Sequence, residues 1–102
     1  MRLEFDLYKL KKEYENANNF IKTIKDEEFI VTGMCDVDEE LHYKVQPVNE
    51  TGIKLINGLD IQCTSYVIPI KFFDKKEFER VTLDIPKKYL TLDIIEEIQR
   101  LN

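Results

Sequence analysis

Residues 3–25, LEFDLYKLKKEYENANNFIKTIK, carry Leu3, Leu7, Leu10, Tyr14, Ala17, Ile21 and Ile24 at alternating steps of four and three. On a helix of 3.6 residues per turn that spacing makes one continuous apolar stripe. It predicts a long first helix, with Phe5 and Tyr8 beside the stripe to widen it. The stripe lasts only about three heptads, and Asn16, Asn18 and Asn19 interrupt it with poor helix formers, so a coiled coil is the weaker reading. The helix is expected to lie on the protein's own sheet.

The rest of the chain reads as short strands. In 29–35 and 41–46, alternation places Phe29, Val31, Gly33 and Cys35 on one face and gives Leu41, Tyr43 and Val45 as the matching set. Asp36, Val37, Asp38, Glu39 and Glu40 form the acidic loop between them. Asn57-Gly58 is the strongest hairpin signal; a three-residue loop there pairs Leu55 with Leu59 and Ile53 with Ile61. After Cys63 the apolar parity changes from odd to even, which a bulge near Thr64-Ser65 would absorb. With 74–77 as a four-residue loop, Ile70 faces Val81, Ile68 faces Leu83 and Tyr66 faces Ile85. Pro69 then lies on the outer face, where its missing donor implies an edge or a bulge.

Pro86 ends the last strand, and Thr91 can cap a closing helix over 92–101, with Leu90 and Ile95 placed as a hydrophobic staple. The expected fold is a single α+β domain over 1–102. A long N-terminal helix and a short C-terminal helix cover the same face of a meander of five to six antiparallel strands. The alternative is a small Sm-like or SH3-like curled barrel with added helices, an analogy of fold that carries no function.

A chain of 102 residues with 43% apolar and 34% charged residues can bury a core without disulfides or metals. The net charge of −5 argues against a general nucleic-acid binder, whose affinity comes from Lys and Arg. No membrane span and no signal-peptide core occurs, so a cytoplasmic protein is expected, with Cys35 and Cys63 reduced. Richness in Lys, Ile, Asn and Glu suits an AT-rich bacterium or its phage and a small accessory role.

Chemistry is sparse. His42 is the only histidine, and a dyad with Cys35 is the enzyme reading to test first, but strand parity puts the two on opposite faces. A calcium loop starting at Asp36 fails, because Leu41 stands where Gly is needed and Pro47 where Glu is needed. Gly33, Gly52 and Gly58 are isolated, so no phosphate loop is present. No catalytic residue, cofactor or metal site is expected.

Two surfaces remain as candidates for a partner. Residues 29–50 hold five carboxylates against Lys44 alone, a local balance of −4 out of −5, and Asp36, Asp38, Glu39 and Glu40 concentrate it at one hairpin. Such a hairpin can attract a basic protein. The other is the outer face of the expected last hairpin, where Lys71, Phe73, Phe78 and Arg80 interleave aromatic and basic groups beside Val67 and Lys75. That is the make-up of a single-stranded nucleic-acid platform, or of a contact with a protein or a second copy in a homo-oligomer. The expectation is a non-enzymatic interaction protein, with a nucleic-acid-binding module as the alternative.

Overall fold

The computed structural model describes residues 1–48 and 66–102. The hairpin expected at Asn57-Gly58 and the bulge at Thr64-Ser65 lie outside these residues. The first stretch overturns the long helix: it begins as strand β1, Arg2–Leu10. Leu3, Phe5 and Leu7 alternate onto one face and pack with Ile30, Leu83, Ile85 and Ile98. Tyr8 and Leu10 point to the other face and join Phe29, Val31, Val45, Ile68 and Phe73. Because β1 passes its burial from one face to the other midway, its apolar positions fall at helix-like steps of four and three. A strand buried on both faces loses the simple period of two.

Beyond Leu10 the expected helix shrinks to a 3-10 turn, Lys12–Tyr14, and one short helix, α1, Asn19–Ile24. The run of Asn residues that weakens the helix also starts α1: the Asn18 side chain accepts a hydrogen bond from the Ile21 amide at 2.9 Å. Ile21 and Ile24 are buried in the second core.

Four further strands follow: β2, Glu28–Val37; β3, Glu40–Pro47; β4, Tyr66–Pro69; and β5, Phe73–Asp84. They form one five-stranded antiparallel sheet in the order β4-β3-β2-β1-β5, with β4 and β5 as its edges, an open sheet rather than a closed barrel among the described residues. The hairpin expected over 66–85 is therefore absent. Tyr66–Pro69 pairs with β3, and a 3-10 turn, Ile70–Phe72, carries the chain to the opposite edge, where β5 pairs with β1. Residues 74 and 75, expected in a loop, instead pair with Lys9 and Tyr8. Such a short link between the two edges requires the sheet to curl, and Phe73 sits inside the curl with its ring 5.6 Å from Phe29 and 6.2 Å from Tyr43.

The closing helix α2, Leu92–Leu101, begins where its cap predicts, with Thr91 Oγ1 accepting from the Ile94 amide at 3.2 Å. Ile94 and Ile98 pack on the first core and Leu101, at the end of α2, reaches the second, whereas α1 serves the second alone, so the two helices do not share one face. Strands β1 and β2 pair directly only at Tyr8↔Phe29 and Lys9↔Glu28. Farther along, the Asn102 side chain bridges them, accepting from the Asp6 amide at 3.0 Å and donating to the Val31 carbonyl at 3.2 Å. One side-chain amide thus supplies the donor and acceptor that the parted strands lack.

Candidate functional site

The acidic stretch is the tip of the β2–β3 hairpin. Asp38 and Glu39 form a two-residue turn, both with left-handed φ (51° and 68°), closed by the pair Val37↔Glu40. Positive φ at both central residues is the hairpin geometry that matches strand twist. Asp36, Asp38 and Glu39 are exposed, as are Val37 and Leu41, and none of these three carboxylates has an ion pair among the described residues. Glu40 differs: Lys71, on the 3-10 turn between the sheet edges, reaches its Oε1 at 3.2 Å. The two candidate surfaces, separate in sequence, meet at that pair.

The tight turn also changes the register. From Val37↔Glu40 it pairs His42 with Cys35, Tyr43 with Met34 and Lys44 with Gly33, and a shift between Val31 and Gly33 then sets Val31 opposite Val45. Directly opposed residues share a face, so Cys35 and His42 lie together, against the parity expectation. The His42 Nδ1 donates to the Glu40 carbonyl at 2.8 Å, and the Cys35 thiol is free, with no side-chain hydrogen bond among the described residues. The pair is adjacent but not joined. Among the described residues no three His, Cys, Asp or Glu side chains converge as metal ligands.

The basic and aromatic set does not form one platform. Phe73 is buried, packed on Phe29, Tyr8 and Tyr43. Each cation of the set holds a carboxylate of this chain. Lys75 reaches Asp6 Oδ2 at 3.2 Å and Arg80 reaches Asp6 Oδ1 at 3.2 Å and Glu4 at 3.1 Å. Lys76 bridges Glu28 and Glu79, each at 2.8 Å, and hydrogen bonds first to Glu28 and then to Glu79 hold its ammonium above its ordinary pKa. Asp6 itself is only 6% exposed.

These pairs surround a feature that strand reasoning missed. Asp6 pairs with Arg80 and Tyr8 with Lys75, so Leu7 alone on β1 stands opposite residues 76–79 on β5. The excess chain bulges outward, and Phe78 at its crest has φ 63° and a fully exposed side chain, at 101%. The two oxygens of Asp6 hold the two ends of the bulge, one each. The signal available in sequence was the lone Phe within Asp74-Lys75-Lys76-Glu77-Phe78-Glu79-Arg80, an apolar residue with no apolar partner at any strand spacing.

Under the sheet, burial and then the charges of Tyr43 and Asp6 push the Tyr8 hydroxyl up to about 12. An open groove of about 780 Å³ between β5 and the segment following β1 is lined by Lys11, Lys12 and Lys25 and by Glu13, Glu15 and Asp26. Its mixed signs select no class of ligand. No helix among the described residues is long and apolar enough to cross a membrane. Compared with protein-family models, curated proteins and solved structures, the chain has no match.

Proposed function

We propose that the chain is a non-enzymatic interaction module whose β2–β3 tip binds a basic surface on a protein partner. The observation that carries the reading is the contrast in charge compensation. Lys71, Lys75, Lys76 and Arg80 each already hold a carboxylate of this chain, whereas Asp36, Asp38 and Glu39 stand unpaired at a turn among the described residues. Exposed Val37 and Leu41 beside them add the apolar contact that a protein interface uses and a phosphate backbone does not. Cations committed to intramolecular pairs are poor ligands for phosphate, since each must first release its carboxylate.

The test is a pair of titrations. Changing Asp36, Asp38 and Glu39 together to Lys should abolish the salt-sensitive retention of the wild-type chain's protein partner on immobilised protein. A fluorescent single-stranded oligonucleotide should show no saturable binding. Oligonucleotide binding that Lys71→Glu removes, with protein retention indifferent to the triple reversal, would sink the reading.

A further inference from the structure

Phe78 combines three properties: full exposure, a left-handed backbone that bulky residues avoid, and a bulge whose ends are both tied to one buried carboxylate. The crest is thus built to hold the ring out from the sheet. Its surroundings carry a sign. Lys75 and Arg80 are committed to Asp6, and Lys76 to Glu28 and Glu79. Asp74 and Glu77 are exposed with no ion pair among the described residues. The uncompensated charge next to the ring is negative.

We propose that Phe78 is the anchor of a second docking surface, inserting into an apolar pocket of a different protein whose rim carries Lys or Arg. A rigid aromatic ring entering a pocket, with polar groups excluding water around it, is the usual form of a binding hot spot. The same acidic rim disfavours the other occupants. Two copies meeting about a two-fold axis at Phe78 would bring like charges together. An anionic membrane surface favours aromatic residues flanked by Lys and Arg, the reverse of what stands free here. This surface lies on edge strand β5 and is independent of the hairpin tip.

The experiment places the photoreactive analogue p-benzoylphenylalanine at position 78 of the full chain in the cells that make it. The cross-linked species is identified by mass spectrometry. The identified protein is then purified and titrated against wild type, Phe78→Ala, Phe78→Trp and Glu77→Lys. Phe78→Ala should weaken binding at least about 30-fold, the size of a hot-spot loss. Phe78→Trp should stay within about threefold of wild type, and Glu77→Lys should weaken binding and reduce its salt dependence. Phe78→Gly, which suits the left-handed backbone, should bind as poorly as Phe78→Ala, so a loss cannot be put down to misfolding. Cross-links only to a second copy, to lipid or to nucleic acid, or none at all, overturn the proposal. So does a purified partner that binds Phe78→Ala as it binds wild type.

Discussion

At the β2–β3 tip, Asp38 and Glu39 take left-handed backbone angles in a turn that a hairpin requires; in β5, Phe78 takes one in the middle of a strand that requires none. Among the described residues, Asp36, Asp38 and Glu39 at the tip are uncompensated in charge, and the one ion pair at its base is Glu40–Lys71. The bulge is tethered at both ends through Asp6, with Lys76 bridging to β2. Unusual backbone at a turn follows from local geometry, while unusual backbone within a strand needs tertiary contacts to hold it. Those contacts are where mutation should have its largest effect.

Asp6→Ala breaks the comparison most sharply. It leaves Lys75 and Arg80 without their shared buried carboxylate, and loss of such a partner typically costs about 3 kcal/mol. Part of that is spared here because both cations are about half exposed. Urea unfolding should show a loss of about 2–3 kcal/mol, and amide exchange should accelerate at residues 76–79 with no change at 36–40. Equal acceleration at both sites would mean that Asp6 does not act as the bulge's tether.

Alkali should act on the same side of the molecule. The Tyr8 hydroxyl is raised from 10.0 to about 12, so it stays protonated in the fold after it has ionised in the unfolded chain. Its contribution is complete below pH 10 and falls by about 2 kcal/mol as pH rises from 10 to 12. Lys76, raised above 10.5, acts in the same direction as pH rises past that value. Unfolding titrations between pH 9 and 12 should show this fall, and Tyr8→Phe should remove the part due to Tyr8. An unchanged slope in the variant would mean that Tyr8 titrates alike in both states.

The smallest effects measure the backbone itself. Phe78→Gly and Glu39→Gly each relieve a left-handed non-glycine residue and should each raise stability by about 1 kcal/mol, less the entropy that glycine adds to the unfolded chain. The two gains should add, since the sites share no partner among the described residues. A destabilised Phe78→Gly would show that the ring, despite its exposure, supports the fold.

The parts of the fold that were legible in sequence are those governed by local chemistry. Thr91 and the apolar positions of 92–101 locate α2, and Asp38-Glu39 lies within the expected acidic loop. The errors come from residues that serve two environments. Leu3, Phe5 and Leu7 alternate as a strand should, but Tyr8 and Leu10 continue the burial on the other face, and the sum imitates a helix. Lys75, Lys76 and Glu77 look like a turn because β5 is an edge strand with a bulge, and only tertiary ion pairs explain why a strand can carry them. Placing the turn there sent Phe73 outward on parity, whereas it closes the curled core. The two-residue turn at Asp38-Glu39 brings Cys35 opposite His42, and the register shift between Val31 and Gly33, invisible in sequence, sets Val31 opposite Val45.

The position of β1 between β2 and β5 has a kinetic consequence. Its ladder with β5 runs from Leu10↔Phe73 to Arg2↔Asp84, contacts separated by 63 to 82 residues, while β2 and β3 meet across a two-residue turn. Closing so long a loop costs entropy before any hydrogen bond repays it. The β2–β3 hairpin can therefore form early from local contacts, whereas β1, which pairs with β2 at two positions and with β5 along most of its length, waits for β5. Folding should be slow for a chain of this length, and its rate should respond to changes in the β1–β5 ladder more than to changes at the hairpin tip.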